Sequence, residues 1–535
     1  MKTLPAIRQE VLYGNRIVSC FADRPPTLDA MLRDAAAQYA DQTALVEGDR
    51  RLTYAELDAR VTDIAAGLLR AGFTKGERLA LLMGNEIEFV VAFLAAARIG
   101  MISVPMNTRQ RRPEIEFVLN QCQASAVVLD IEFAANMPEP AATPSLRAVY
   151  AVGDGGARPD DLPKGITAFE TLAHPGADPA LPKVDQEDTL CLLYTSGTTG
   201  NPKGAMLTNV SVIHSVMHYA WAFGLREGDV AFLSVPASHV TGVVAILLST
   251  IYVGGKTVIM KAFKARRFLE LATKERINYT LMVPAMYNLC LLDPEFTGFD
   301  LSSWRVAGFG GAPMPQATID RLRAELPALT LQNVYGSTET TSPVTILPPG
   351  AIYTHADTVG QVLPLADIIV VDDEGHEVAP GESGELLIGG PMVVPGYWDN
   401  PEGTAKGFTM GYWVSGDIGT KDAEGFVRVF DRKKDMINRG GFKIYCIEVE
   451  NVLSHHPSVI EAAVVGRPDP VLGEKVHAFI WNEGRSVTES DIKLFCSERL
   501  SDYKVPDMVT ILPAPLTRNA NGKVLKNLLR DLAAT

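Results

Sequence analysis

The residues best suited to chemistry lie in Leu193-Tyr194-Thr195-Ser196-Gly197-Thr198-Thr199-Gly200-Asn201-Pro202-Lys203-Gly204. Glycines let backbone N–H groups converge on an anion, because no Cβ blocks the approach. The hydroxyls of Thr195, Ser196, Thr198 and Thr199 add donors, and Lys203 adds a compact positive charge. Such a loop suits a polyphosphate. It is not the G-x-x-x-x-G-K-[ST] loop: the lysine follows Pro202, and Gly204 stands where a Mg²⁺-binding hydroxyl would be. Three other stretches carry charged groups beside small residues: Tyr335-Gly336-Ser337-Thr338-Glu339-Thr340, Ser415-Gly416-Asp417 and Asn521-Gly522-Lys523-Val524-Leu525-Lys526. Alone, these read as a loop acid, a turn and a solvated tail lysine.

The elements that must hold these groups follow from hydrophobic spacing. The apolar run 189–194 reads as a buried strand opening into the glycine-rich loop. Leu57, Val61, Ile64, Leu68 and Leu69 follow helical spacing from about Leu52, and Gly72 ends that helix. A strand over 78–83, a helix over 87–99 and a strand over 102–105 repeat the order expected of βαβ units and parallel sheet. Further strands are expected at 230–235, 257–260, 279–283, 305–309 and 330–334, with helices between most of them. The Pro-, Gly- and Asp-rich stretch 136–183 reads as loop. The apolar run 243–253 is shorter than a membrane span and reads as a buried helix.

Past Pro343 the texture changes. Short alternating strands at 368–371, 384–388 and 425–429, separated by Gly- and Asp-rich turns, predict antiparallel β structure. After the charge cluster 431–435 comes an α+β tail: helix 447–454, strands 462–465 and 477–481, helix 489–500 and strand 508–512. The expected fold is α/β, with a large N-terminal domain over 1–432 of βαβ-type sheets plus a small antiparallel β subdomain. A small α+β domain over 433–535 follows.

Taken together and in this order, the motifs resemble those of the adenylate-forming superfamily, and within it the acyl-CoA synthetases, from Leu52 to Arg530. The resemblance implies that residues 195–200 and Lys203 cradle the ATP phosphates. Tyr335-Gly336-Ser337-Thr338-Glu339 is similar to the family's Y-G-x-T-E, in which Thr338 meets the α-phosphate and Glu339 holds Mg²⁺. Gly310-Gly311-Ala312-Pro313 looks like the adenine-flanking loop, with Asn333 and Val334 completing the slot. Asp417, in S-G-D, would accept from both ribose hydroxyls, and Arg432 would be the second ribose contact. His239 matches the histidine that gates the acyl site, in a pocket expected to include Thr241, Val243, Met286, Tyr287 and Gly310. Lys523 resembles the C-terminal catalytic lysine. Gly440, Gly441, Phe442 and Lys443 resemble the pantetheine-channel loop, beside which Cys446 replaces a proline found in many relatives. Lys434 aligns with the hinge about which the C-terminal domain turns between half-reactions. The implied activity is ATP-dependent activation of a monocarboxylic acid followed by transfer to CoA, as in fatty acid metabolism.

The bulk properties agree. The chain of 535 residues has 47% hydrophobic and 21% charged residues, ordinary for a globular protein of several domains. A net charge of −14 argues against a nucleic-acid partner. Six scattered cysteines without C-x-x-C spacing suggest neither a disulfide framework nor a zinc site, and point to a reducing, cytoplasmic setting. Neither a secretory leader nor a membrane span is evident, and a homodimer is left open. Four alternatives share the nucleotide motifs: an amino-acid adenylation domain, a luciferase, a fatty-acyl-AMP ligase and a non-catalytic nucleotide-binding protein. Residues 234–242 contain no acid to pair an amino-acid amine, which argues against the first.

Overall fold

Thr189–Thr195 forms the strand its apolar run implies, with residues 190–193 buried. In the computed structural model, which describes residues 4–153, 163–195, 202–518 and 524–534, it pairs antiparallel with Lys203–Thr208 and parallel with Ile102–Pro105. A seven-stranded sheet continues through Arg78–Leu82, Ala126–Asp130, Ala148–Val152 and Ile166–Ala168, all parallel. Its inner strands are apolar at nearly every position because both faces are covered.

The helix Tyr54–Arg70 begins at a capping box made by Thr53 and Glu56, and buries Leu57, Val61, Ile64 and Leu68. Every residue of the helix Ile87–Arg98 is buried, so it carries no polar stripe. Its Arg98 side chain is 0% exposed and is satisfied by Asp29 Oδ1 at 2.6 Å, by Asp58, and by Thr62 Oγ1 at 2.5 Å.

A second sheet in the same unit runs in the order Gly360–Val362, Thr345–Ile346, Thr330–Tyr335, Val306–Gly310, Tyr279–Met282, Val230–Leu233, Lys256–Ile259, Thr43–Glu47 and Arg50–Thr53. From Thr330–Tyr335 to Thr43–Glu47 the pairing is parallel. Phe232, Phe268, Tyr287, Trp304 and Phe309 fill the core against it.

The chain forms two compact units. The first comprises Met1–Ile368, Ile388–Val414 and Glu424–Phe426; the second comprises Ile369–Leu387, Ser415–Ala423 and Val427–Thr535. In the second, a sheet of order Phe442–Ile444, Ile437–Arg439, Gly473–Trp481, Glu461–Asp469 carries Met508–Leu512 parallel to Gly473–Trp481. Helices Cys446–Ser454 and Glu489–Ser497 cover a core of Ile437, Ile444, Val449, Val476, Ile480 and Ile492. The whole is the mixed α/β fold expected, with one large and one small unit.

One local expectation needs correction, and two further features were not legible in the pattern. The stretch 136–183, read as loop, contains Ala148–Val152 and Ile166–Ala168, which extend the seven-stranded sheet at its edge. Strands of five and three residues carry too little alternation to stand out from their Pro- and Gly-rich flanks. The apolar run at 243–253 is not a plain α-helix: Thr241–Leu248 is π-helical, and Ser249–Tyr252 continues as α. An antiparallel hairpin of Ile7–Leu12 and Arg16–Phe21 precedes everything the sequence pattern showed. Among the described residues no helix is long and apolar enough to cross a membrane.

Candidate active site

Four neighbouring parallel strands deliver four of the predicted segments from their C-terminal ends. Val230–Leu233 leads to His239, Thr241 and Val243; Tyr279–Met282 to Met286 and Tyr287; Val306–Gly310 to Gly310, Gly311, Ala312 and Pro313; and Thr330–Tyr335 to Gly336, Thr338 and Glu339. This is the edge at which open α/β sheets bind ligands. Gly310 pairs with Val334, and a Cβ at Gly310 would stand 2.5 Å from the Val334 carbonyl oxygen, so only glycine lets these strands close up. Gly311 has φ of 77°, which turns the chain sharply out of the strand. Asn333 donates from Nδ2 to the Thr358 carbonyl at 3.0 Å.

Glu339 lies in the short 3₁₀ turn Thr338–Thr340 and is 6% exposed. Its carboxylate accepts from Thr195 Oγ1 at 3.4 Å and Tyr397 OH at 3.0 Å through Oε1, and from Ser337 Oγ at 2.5 Å through Oε2. Among the described residues, no lysine, arginine or histidine forms a salt bridge with it. A buried carboxylate that, among the described residues, is held by neutral hydroxyls suits a cation supplied with the ligand. Nor, among the described residues, do three His, Cys, Asp or Glu side chains gather around a common centre. That pattern fits Mg²⁺, which binds one or two carboxylates and completes its shell with phosphate oxygens and water. The turn is strained just beyond: Thr341 and Ser342 have φ of 51° and 35°. Bonds from Ser342 N to Ser337 O and between Ser342 Oγ and Tyr219 OH hold it there.

Lys203 opens the strand Lys203–Thr208, and its Nζ sits 5.1 Å from the centroid of the Tyr397 ring. Tyr397 was not foreseen. It belongs to a segment laid against that strand: Met206 N donates to Gly396 O, Trp398 N donates to Gly204 O, and Ala205 bridges Tyr397. Arg16, from the N-terminal hairpin, pins the same segment by donating to the carbonyls of Val393, Val394 and Pro395 at 3.2, 3.0 and 3.0 Å. Val394 N in turn donates to Glu339 O at 3.0 Å. No local spacing marked Tyr397, because its role comes from a bridge to a distant strand.

In the pocket segments, His239 is half-buried, and burial lowers its pKa below the usual histidine range, so the ring is neutral at neutral pH. Val243 is buried in the π-helical stretch, a local form common at functional sites. Tyr287 is fully buried and stacked on Trp304, and its hydroxyl donates to Gly308 O at 2.5 Å and meets Thr280 Oγ1 at 3.0 Å. The structure therefore seats Tyr287 in the core behind the strand ends.

In the second unit, Asp417 and Arg432 are cross-strand partners. Arg432 Nε lies 2.7 Å from Asp417 Oδ1, and the aspartate side chain is 6% exposed. Arg432 also donates to Ser415 O at 2.9 Å, and Asp417 N donates to Ser415 Oγ at 2.9 Å. The two predicted ribose contacts are thus brought side by side. Gly440 and Gly441 have φ of 60° and 92°, forming the turn before Phe442–Ile444. Phe442 is exposed and stacks on Tyr503 at 4.6 Å, while Lys443 pairs with Asp373 at 3.1 Å. Lys434 is exposed, and its carbonyl accepts from Arg530 at 3.4 Å. Ser196, Gly197, Thr198, Thr199, Gly200 and Lys523 lie outside the described residues.

Known proteins resemble this chain in sequence and fold. The AMP-binding enzyme family matches residues 32–398, and the AMP-binding enzyme C-terminal domain matches 448–523. A long-chain fatty acid–CoA ligase of Mycobacterium tuberculosis is 34% identical, over 94% of this chain and 97% of its own length. The anthranilate–CoA ligase AuaEII, solved in complex with anthranoyl-AMP, superposes with a TM-score of 0.86 at 26% identity, covering 96% of this chain and 98% of that one. The o-succinylbenzoate CoA synthetase of Bacillus subtilis, in complex with ATP and magnesium ion, gives 0.82 at 28% identity, covering 95% and 100%. With more than half of its length matched by one family, and with relatives 34% identical over nearly its whole length, this chain belongs to the AMP-binding enzymes of the adenylate-forming superfamily.

Proposed function

We propose that this protein is an acyl-CoA synthetase, an AMP-forming acid–thiol ligase acting on a monocarboxylic acid. The acid's carboxylate attacks the α-phosphorus of ATP to give acyl-AMP and pyrophosphate. The thiol of CoA then attacks the acyl carbonyl, giving acyl-CoA and releasing AMP. The observation that carries the reading is the Glu339 carboxylate, buried among three hydroxyl donors at the end of Thr330–Tyr335, with Lys203 on the adjoining segment.

The first step brings two anions together, so charge neutralisation and alignment are its main demands. Mg²⁺ held by Glu339 supplies positive charge to the phosphate oxygens when bound. Lys203 and the loop before it bind the departing pyrophosphate. Lys523 would stand between the acid and the α-phosphate. Asp417 and Arg432 fix the ribose, and the glycines at 310 and 311 let the backbone close on the purine. For the second step the small domain turns about Lys434, withdrawing Lys523 and presenting residues 440–443 to the pantetheine arm. Residues 235–243, 283–287 and 310–313 contain neither lysine nor arginine. The acyl pocket therefore favours one carboxylate over two. Medium-chain, short thioether or branched, and aryl acids all fit that description. The proposed setting is the cytoplasm.

ATP–pyrophosphate exchange with a panel of such acids, followed by CoA addition and product analysis, tests the reading. Exchange with at least one acid, and acyl-CoA formation with the same acid, is expected. Exchange that never proceeds to a thioester would mark an acyl-AMP ligase, and exchange with no acid would overturn the enzymatic reading.

A further inference from the structure

Lys203 and Glu339 carry opposite charges and both contact Tyr397, yet no salt bridge joins them among the described residues. An ammonium and a carboxylate that met here would pair, and each would then be spent on the other rather than on a ligand. Tyr397 stands between them. Its hydroxyl donates to Glu339 Oε1 at 3.0 Å, and its ring lies 5.1 Å from Lys203 Nζ. One end of the side chain serves the anion and the π face serves the cation.

The ring cannot easily move away. Tyr397 is 7% exposed and its ring packs edge-on against Phe408 at 5.5 Å. Its backbone N donates to Thr404 Oγ1 at 2.9 Å. The bridge to Ala205 and the Trp398–Gly204 bond hold its backbone against the strand that carries Lys203.

We propose that Tyr397 is a positioning residue that keeps Lys203 and Glu339 apart and orients the Glu339 carboxylate for Mg²⁺, so that both charges are available to the ATP polyphosphate. The inference rests on the reading of Glu339 as a Mg²⁺ ligand. Removing the hydroxyl while keeping the ring leaves Oε1, among the described residues, with the long contact from Thr195. Removing the ring as well lets the lysine fall towards the carboxylate. Loss of a hydrogen bond to a metal ligand typically weakens metal affinity or activity by about 10- to 100-fold.

The test compares wild type, Tyr397→Phe, Tyr397→Leu and Glu339→Gln. Two readouts are used: the Mg²⁺ concentration for half-maximal pyrophosphate exchange, and the Mg²⁺ dependence of the ATP-induced rise in Tm. The second requires binding but no turnover. Tyr397→Phe should raise both Mg²⁺ midpoints by about 10-fold and leave the KM for the acid within about twofold. Tyr397→Leu should shift them further and also raise the KM for ATP. A wild-type midpoint in Tyr397→Phe, with a shifted one in Glu339→Gln, would overturn the positioning role while leaving the metal reading intact. Unshifted midpoints in both variants would overturn the metal reading and this inference with it. A fall in kcat and in ligand-free Tm for Tyr397→Phe, without any Mg²⁺ shift, would show a packing role only and equally refute the proposal. Should Tyr397→Leu fail to fold, Tyr397→Phe alone decides.

Discussion

Replacing Asp417 by alanine separates a nucleotide-binding role from a structural one, because the structure gives each its own size. The structural part is the ion pair: Arg432 Nε is 2.7 Å from a carboxylate that is 6% exposed, but the arginine itself is 35% exposed. An exposed pair contributes at most about 1 kcal/mol, and breaking a fully buried one costs about 3–5 kcal/mol. Here the freed guanidinium keeps its bond to Ser415 O and can reach water, so a cost of about 2 kcal/mol is reasonable. The binding part is larger. A hydrogen bond to a charged group contributes about 1.5–3 kcal/mol, and a carboxylate bridging two ribose hydroxyls would make two. After water competes for the same groups, a loss of about 3 kcal/mol corresponds to a roughly 10²-fold rise in the KM for ATP. The assay is pyrophosphate exchange as a function of ATP at saturating acid, with Tm measured alongside. Expected are a large rise in the ATP KM, a fall of a few degrees in Tm, and an unchanged ranking of acids. A reordered acid preference with the ATP KM at its wild-type value would refute the ribose assignment.

Lys523→Ala should lower pyrophosphate exchange by about 10²-fold while thioester formation from supplied acyl-AMP persists. Equal loss in both half-reactions would contradict a lysine needed only where two anions meet. Lys434→Pro should do the reverse, sparing exchange and slowing acyl transfer, because proline fixes φ near roughly −65° and so opposes one of two hinge states. Acyl transfer at the wild-type rate would remove Lys434 as the pivot. Arg98→Ala should destabilise the first unit by about 3 kcal/mol, since it empties a side-chain site that is 0% exposed and takes from Asp58 its arginine, while Asp29 keeps Arg33 at 2.9 Å. Chemical denaturation measures it, and a loss below about 1 kcal/mol would show that the pair behaves as a surface one.

What the sequence reveals and what it hides have physical reasons. Doubly covered strands such as Thr189–Thr195 are apolar along their length, and helix Tyr54–Arg70 has one buried face, so both can be read from local pattern. The Glu339, Asp417 and Gly310–Pro313 strings are contiguous, which is why they can be recognised at all. By contrast, Tyr397 acquires its place from pairing with Ala205, and Arg16 from three carbonyls far along the chain. Neither relation leaves a mark in local spacing. The strand Ala148–Val152 is legible only once its neighbour Ala126–Asp130 is in place. The packing of 369–387 and 415–423 with the tail likewise depends on contacts between segments far apart in sequence.

The Arg16 brace has a consequence for the birth of the protein. Arg16 leaves the ribosome well before the carbonyl of Val393, which lies 377 residues later. At synthesis rates of about 5–20 residues per second, the hairpin waits roughly 20–75 s for the segment it will grip. The geometry around Glu339 is therefore completed only when the segment at 393–397 closes against a hairpin made long before it, and a nascent chain halted before residue 393 would carry the glutamate but lack its Tyr397 donor.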